Sequence, residues 1–280
     1  ELLGVIIQLG GQTPLKLRQT LKASGIKILG MEKDAIDICD NRGAFSKLVA
    51  EVGAKEAESF GYNTKEELER IAGELEYKCI IRPSSVIGGR GMAIINTASE
   101  LAYYLATEKE ISAGIVNPLL EAAIELDVDI IRDKTGRCFV FGVLEHIEYA
   151  GVHSGDSSCS VIPRSLNAKI LSQIEKTAVK FAEKLEMVGL INIQFAVKEE
   201  EIFVIEVNPR ASRTVPFTAK AISLPIIKIA VKLMCGKTLE EEENFQNFAY
   251  KKFKDGYYVL DGINFQAVKE PVFSFEKFME

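Results

Sequence analysis

Two stretches constrain this chain more than any other feature: "GLINIQFAV", residues 189–197, and "EIFVIEVNPR", residues 201–210. Both are dense in β-branched and large apolar residues, as buried strands are, yet each carries polar side chains at alternate places. Successive side chains point to opposite faces of a strand. Ile202, Val204, Glu206 and Asn208 therefore share one face and Phe203, Ile205 and Val207 the other, with the odd-numbered face expected against the core. In the partner stretch Asn192 and Gln194 lie on one face, and Ile191, Ile193 and Phe195 on the other. A hairpin turning about Glu200 sets Gln194 opposite Glu206 and Asn192 opposite Asn208, a match that a one-residue slip would destroy. Pro209 ends the ladder, and Arg210 and Arg213 follow.

Such a hairpin gathers carboxylate and amide oxygens at one end of a sheet. Hard oxygen donors of this kind suit Mg²⁺ shared with substrate phosphates, and the same alternation also fits a solvated sheet edge. Arginine forks match phosphate or carboxylate oxygens in pairs, although an arginine after a strand is common on any surface.

Other polar segments fall between predicted strands. "IIRPSSVIGGRGMAII" is a Ser/Gly loop that could lay backbone N–H groups over phosphates, with Arg82 at its base. It is no Walker loop, because GxxxxGK[ST] is absent, and it also reads as plain hairpin punctuation. "GVHSGDSSCS" holds His153 beside Ser154, Asp156 and Ser157. Catalytic triads are assembled from distant segments, so a substrate- or ion-binding loop is the better reading; His146, at the end of an apolar run, reads as structural. "LEAAIELDVD" sets Glu125, Asp127 and Asp129 on one face. That is a solvated face or, with apolar Leu120, acceptors for ribose hydroxyls beside an adenine pocket.

Around these motifs the chain alternates elements. Residues 3–9, a "GGQTP" turn, the helix "LKLRQTLKAS" stopped by Gly25, and "IKILG" form one βαβ unit. "FSKLVAEVG" and "NTKEELERIAGEL" are helices, the second capped by Thr64 with Glu67 reaching back and Leu68, Ile71, Ala72 and Leu75 facing inward. Thr97 and Glu100 repeat that spacing. From residue 115 the chain is β-rich, interrupted by the amphipathic helix "AKILSQIEKTAVKFAEKLEM". Pro225 opens the last long helix and Gly236 closes it, and "EEENFQNFAYKKFKDG" reads as an exposed connection to a final strand or two. The order is α/β first, then antiparallel-rich α+β.

With 280 residues, 47% of them hydrophobic, the chain can bury a substantial core. A net charge of −6 supplies no overall field for nucleic acid or an anionic membrane, so any anionic ligand must meet local Arg or Lys. No apolar stretch approaches the roughly 20 residues of a membrane span, and "ELLGVII" lacks the basic start of a signal peptide. Five scattered cysteines without a CxxC pair read as reduced thiols of a cytoplasmic protein. A start without Met, inside an apolar run, is expected of a piece of something longer.

The combination is more specific than its parts. "GGQTPLKL", "IIRPSSVIGGRGM", "ELDVD", "EHIEYAGVHSGDSSCS", "NIQFAV" and "IEVNPRASRTVPFTAKA", in that order, resemble the ATP-grasp ligases, and among them the carbamoyl-phosphate synthetase large chain. "GGQTPLKL", "AGVHSGDSSCS" and "RTVPF" are similar to its second half, which phosphorylates carbamate. The resemblance implies an ATP-grasp domain over residues 39–238 with a lid at about 78–115. Before it, residues 1–38 would be the end of a Rossmann-like preceding domain; after it, residues 239–280 would be a connecting segment. It implies that Arg42 and Arg82 contact ATP phosphates, with Gly88 and Gly89 in a flap above them. Leu120 meets adenine, Glu125 the ribose, and Gly151, Val152, His153 and Ser154 line the nucleotide site. Gln194, Glu206 and Asn208 hold two Mg²⁺ or Mn²⁺ ions, Arg210 and Arg213 act on carbamate and the transferred phosphoryl group, and K⁺ sits near "EHIEYAGVHSGDS". The partners implied are the rest of the large chain and a glutaminase small subunit, with no nucleic acid and no membrane.

The sequence departs from the family pattern at Pro118, where a polar residue is usual, and in "AKEAESFGYNT", which lacks the usual proline. Another ATP-grasp ligase, such as a biotin carboxylase or a purine-pathway ligase, is the rival among enzymes; "GVHSGDS" and "RTVPF" speak against it. A nucleotide-binding module without turnover is the rival of another class.

Overall fold

The hairpin lies toward one edge of the larger of two sheets. A computed structural model describes residues 2–31, 35–83, 92–108, 113–150, 152 and 155–272. In chain order its elements are α1 (Gln12–Lys16), α2 (Arg18–Ala23), α3 (Ala35–Asp40), α4 (Arg42–Val52), β1 (Lys55–Glu56), β2 (Phe60–Tyr62), α5 (Lys65–Glu74), β3 (Cys79–Pro83), β4 (Ala93–Ile95), α6 (Ala98–Thr107) and β5 (Gly114–Pro118). There follow β6 (Ile124–Arg132), β7 (Cys138–Tyr149), β8 (Cys159–Val161), α7 (Ala168–Leu185), β9 (Gly189–Lys198), β10 (Glu201–Asn208), α8 (Val215–Ala221), α9 (Ile226–Met234), α10 (Glu243–Gln246), β11 (Lys251–Lys254), β12 (Tyr257–Leu260) and β13 (Ala267–Lys269).

The main sheet runs β1-β10-β9-β6-β7-β12-β11, with β8 and β13 joined beyond β7. One of its faces is apolar: Leu126, Val128, Ile130, Ile191, Ile193 and Phe195 pack with α4 and α7 residues such as Leu48, Val49, Ile174 and Phe181. On the opposite face Ile131, Phe139, Phe141 and Leu190 lie in a second core with Ile226, Ile229 and Leu233 of α9. A smaller sheet, β2-β5-β3-β4, forms a second lobe with α5 and α6, cored by Tyr62, Leu68, Ile71, Ile81, Leu101 and Val116.

Local signals behave as the sequence suggests in the second lobe. Thr64 Oγ1 accepts from Glu67 N at 3.2 Å, and the Glu67 carboxylate reaches back to Asn63 N at 2.6 Å. Thr97 and Glu100 repeat the arrangement at 3.2 and 2.8 Å, so each helix has one orphan donor met by its cap and the residue before the cap tied back to the first turn.

Three expectations are corrected. The opening βαβ unit is reduced to a single parallel bridge, Val5 to Ile28, with its helix broken in two at Leu17. The fully buried Gln8 side chain anchors this segment in place of a ladder. It donates to the carbonyls of Gly30 (3.2 Å) and Val188 (2.8 Å) and accepts from Leu190 N (3.0 Å). The approach is so close that a Cβ on Gly189, at φ +112, would stand 2.4 Å from Gln8 Oε1. Residues 241–256 are no mere exposed connection: they contain α10 and β11, and Phe245 is fully buried against Phe139 at 5.2 Å between ring centroids. The third correction lies in the hairpin. Its turn is the two-residue Glu199–Glu200 pair, both at positive φ, which matches the strand twist. The pairing therefore starts one residue out of the expected register (Glu201 with Lys198, Val204 with Phe195), and Ile205 is an extra residue in a bulge. Beyond it Glu206 faces Gln194 and Asn208 faces Asn192, as expected. The bulge also changes which side chains are inward: Val204 and Val207 are core residues, whereas Phe203 and Ile205 of the expected core face are only half-buried.

Phe245→Ala should lower the unfolding free energy by about 3–5 kcal/mol, the range for a large buried aromatic. Urea denaturation measures it, and a change below about 1 kcal/mol would return α10 to the status of a loose connection.

Candidate active site

A cleft of 480 Å³ lies between the two lobes. The smaller sheet contributes its non-core face by simple alternation. Cys79, Ile81 and Val116 point to that lobe's core, and Ile80, Arg82, Ile115 and Asn117 line the cleft. From the main sheet come Glu125, Gln194, Ile205 and Glu206, and from the start of α4 comes Arg42. Leu120 and Val152 complete its rim beside Pro118 and Ala150.

Seven of the expected residues, Arg42, Arg82, Leu120, Glu125, Val152, Gln194 and Glu206, thus meet in one cavity. Asn208, Arg210 and Arg213 stand at the end of β10 and in the loop after it, outside the cleft lining. Gly88, Gly89, Gly151, His153 and Ser154 lie outside the described residues.

Beneath the cleft the main sheet carries a polar ladder, buried at Asp127, Asp129, Asn192 and Asn208 and opening to the cleft at Gln194 and Glu206. Asp127 pairs in register with Gln194, which pairs with Glu206; Asp129 pairs with Asn192, which pairs with Asn208. Asn192 Nδ2 donates to Asp127 Oδ1 at 3.0 Å and to Asp129 Oδ1 at 2.9 Å, and Gln194 Nε2 donates to Asp127 Oδ1 at 3.4 Å. On β7 the buried His146 ring holds Asp127 Oδ2 at 2.9 Å, with Glu125 3.8 Å from its other nitrogen. The loop after β10 reaches in as well. Ser212 Oγ donates to Asp129 Oδ1 at 2.8 Å and Thr214 Oγ1 to Asp129 Oδ2 at 2.5 Å.

These contacts overturn one reading of the sequence. The acidic face of β6 is not solvated, since Glu125, Asp127 and Asp129 are only 6%, 2% and 1% exposed. His146, read as structural, is buried and bonds Asp127 behind the cleft lining. Asn117 escaped notice altogether. It lines the cleft, donates to Glu58 O at 2.8 Å, and leaves its Oδ1 buried with no hydrogen-bond partner among the described residues. Its signal was position: a polar residue at alternate spacing in an apolar strand, next to a proline.

Charge is unevenly balanced. Burial pulls His146 down, but the hydrogen bond and charge of Asp127 more than offset this and raise it. Burial likewise pushes Asp127 up, and the bond and charge of His146, with Asn192 and Gln194, bring it below the ordinary carboxylate value. The two therefore form an ion pair. Asp129 makes no such ion pair among the described residues: burial and the charge of Asp127 push its carboxyl up to about 6 against the hydrogen bonds of Thr214, Asn192 and Ser212. Burial also lowers Arg210, against the pull of Glu206.

Oxygen donors and unmet donors coexist here, which suits a metal–phosphate ligand. Glu206 and Gln194 share the cleft with Arg42 and Arg82. Asn208 Oδ1 already accepts from Arg210 Nη2 at 2.9 Å, and an amide oxygen keeps a second lone pair for a cation. Arg82 Nε and Arg210 Nε are buried without partners among the described residues, as side chains awaiting an anion would be. One carboxylate and two amides are too few for an all-protein cage, but they fit Mg²⁺ that keeps phosphate and water oxygens. The described residues contain no cluster of three or more His, Cys, Asp or Glu arranged as a metal centre of their own.

Two lobes closing on a cleft over an antiparallel sheet define an ATP-grasp fold. It is shared with the biotin carboxylase domain of Hydrogenobacter thermophilus 2-oxoglutarate carboxylase, solved with MgADP, ADP and bicarbonate (TM-score 0.63, 18% identity, 81% of this chain and 52% of that one). A biotin carboxylase from Campylobacter jejuni, in complex with β-γ-ATP, is similar at TM-score 0.64, with 17% identity over 80% of this chain and 52% of that one. Residues 41–242 match the family described as "Carbamoyl-phosphate synthase L chain, ATP binding domain", and the chain belongs to that family. The carbamoyl phosphate synthase large chain of Xanthomonas axonopodis pv. citri is 44% identical over 98% of this chain and 25% of its own length. That of Thermotoga maritima is 46% identical over 85% of this chain and 22% of its own. The chain thus spans about a quarter of the length of these relatives. Among the described residues no helix is long and apolar enough to cross a membrane.

The raised Asp129 carboxyl fixes a sign for pH dependence. Folding favours its protonated form, so its stabilising contribution is complete below about pH 4 and is lost as pH rises through about 6. Relative to Asp129→Asn, the native chain should lose up to about 3 kcal/mol across that window. Denaturation of both proteins at pH 4, 5, 6 and 7 measures it, and a constant difference would show that Asp129 does not titrate there.

Proposed function

We propose that this chain is the carbamate-phosphorylating half of a carbamoyl-phosphate synthase large chain, acting in the cytoplasm in pyrimidine and arginine biosynthesis. The observation that carries the reading is the joining of Arg42, Arg82, Gln194 and Glu206 in one inter-lobe cleft, with Arg210 and Arg213 beyond the end of the same hairpin. "AGVHSGDSSCS" and "RTVPF" support this half over the bicarbonate-phosphorylating one. We assign residues 1–38 to the end of a preceding domain, 39–238 to the ATP-grasp domain with its lid near 78–115, and 239–280 to a connecting segment. The rest of the large chain and a glutaminase small subunit are its partners.

ATP lies in the cleft with adenine near Leu120 and ribose at Glu125. Arg42 and Arg82 hold its phosphates, beneath a flap containing Gly88 and Gly89, while Gly151, Val152, His153 and Ser154 line the nucleotide. Gln194, Glu206 and Asn208 would hold two Mg²⁺ or Mn²⁺ ions, which neutralise phosphate charge when bound. K⁺ would sit near residues 145–157. A carbamate oxygen attacks the γ-phosphorus in line, the bond to the β–γ bridging oxygen breaks, and ADP leaves with its electron pair. Arg210 and Arg213 orient the carbamate and offset charge on the moving phosphoryl group, a task of positioning rather than covalent chemistry. Closure of the lobes excludes water, which would hydrolyse an acyl phosphate.

Run in reverse with the full-length protein, Mg-ADP and carbamoyl phosphate should give ATP. Glu206→Gln should cut that rate by about 10²–10³-fold, the scale for losing one preorganised charge contact. Nucleotide binding by the native protein without any ATP formation would overturn the reading in favour of a binding module.

A further inference from the structure

Asp129 touches neither the cleft nor any group assigned to ATP, yet its carboxylate is as heavily bonded as that of Asp127 beside it. At 1% exposure it accepts three hydrogen bonds: from Asn192 on β9, and from Ser212 and Thr214 in the loop after β10. Ser212 Oγ and Thr214 Oγ1 are themselves 2.6 Å apart, and Thr214 N donates to Ser212 Oγ at 3.2 Å. Those two hydroxyls flank Arg213, and Arg210 lies two residues before Ser212. The far side of the loop is fixed as well, since Ala211 N donates to Gln8 O at 2.9 Å. An irregular segment with no ladder of its own is thereby held to the sheet on both sides.

We propose that Asp129 is a positioning residue for phosphoryl transfer, its carboxylate clamping the Ser212–Thr214 hydroxyls so that Arg210 and Arg213 are presented to the reacting group. A buried carboxylate that makes no direct ion pair among the described residues is a costly way to tie down a loop, and apolar packing would cost less. What the carboxylate supplies is direction: its two oxygens fix two hydroxyls at set positions, and through them the backbone on either side of Arg213. Asn192 carries the same constraint sideways, because it bonds Asp129 and stands in register with Asn208, whose side chain holds Arg210.

The clamp rests on the proposed reaction, so two readouts are needed. In the full-length protein, Ser212→Ala with Thr214→Val, and separately Asp129→Asn, should lower kcat for ATP formation about 10- to 100-fold, while Mg-ADP affinity changes by less than about twofold. Combining all three changes should cost little more than the worse single set, because they act through one clamp. Thr214→Ser, which keeps the hydroxyl, should remain close to native. Hydrogen exchange, read without turnover, should quicken in residues 209–215 of both variants and stay unchanged in β9. An unchanged kcat, a loss of nucleotide affinity in proportion to kcat, or unaltered exchange in that loop would each overturn the proposal. If the native protein makes no ATP from carbamoyl phosphate, the reaction is wrong and the exchange measurement alone decides the clamp.

Discussion

The structure depends on keeping carboxylates inside a sheet. Asp127 and Asp129 sit on neighbouring inward positions of β6, and each is lost to water. Two buried like charges at that spacing repel, and an uncompensated one costs several kcal/mol. The molecule answers with one ion pair and a set of donors drawn from three directions: His146 from β7, Asn192 and Gln194 from β9, and Ser212 and Thr214 from the loop beyond β10. The register of these strands is therefore fixed by polar satisfaction as much as by apolar packing. Shifting β9 by one residue would bury Ile191 or Ile193 among carboxylates and remove the Asn192 and Gln194 donors from them.

This constraint explains why one sheet face changes character along its length. Toward α9, Ile131 on β6 and Leu190 on β9 belong to an apolar core closed by Ile226, Ile229 and Leu233. Moving along the same face, each strand turns polar, through Asp129 and Asn192, then Asp127 and Gln194, then Glu125 at the cleft. Helices cover the first part. The second part is left for the opposite lobe, whose cleft face carries Ile80, Arg82, Ile115 and Asn117. Apolar residues on that lobe can meet an aromatic base and its arginine an anion, so the two walls differ in the way a nucleotide differs along its own length.

The sequence showed the pairing of Gln194 with Glu206 and of Asn192 with Asn208, because short polar interruptions of apolar strands leave few registers that match. It could not show how the pairing is reached. The Glu199–Glu200 turn sets a register one residue off, and Ile205 corrects it; a bulged isoleucine has the same letter as a ladder isoleucine. Asp127 and Asp129 were visible as a polar face, but period two alone does not distinguish a face turned to water from one turned to another lobe. Phe245 and Phe248 were hidden for a different reason. The charges of "EEE" and "KK" around them dominate any local average, although the aromatic rings reach past those charges to Phe139. In the N-terminal segment the fault was overreading: apolar residues 3–9 suggested a strand, whereas burial there is concentrated on Ile7 and Gln8 and only Val5 forms a bridge.

Gln8 and Asp129 together show how a short irregular loop becomes a fixed part of a site. The segment 209–214 begins with a proline, cannot extend β10, and before the Thr214 carbonyl takes up the first turn of α8 its backbone bonds are Arg210 N to Asn208 O and Ala211 N to Gln8 O. Left to itself such a loop would sample many conformers, and each ordered residue costs about 1–2 kcal/mol of backbone entropy. The carbonyl of Gln8 and the carboxylate of Asp129 restrict that freedom from opposite sides, and both anchors are themselves tied in: Gln8 by three side-chain bonds, Asp129 by its place in the middle of β6. Arginine side chains have long, flexible stems, so placing their backbone is only half of orienting them. Asn208 supplies the other half for Arg210, accepting from one end of its guanidinium while the Ala211 carbonyl accepts from the other nitrogen. The guanidinium is thereby held in a set plane by two acceptors of its own loop and strand end.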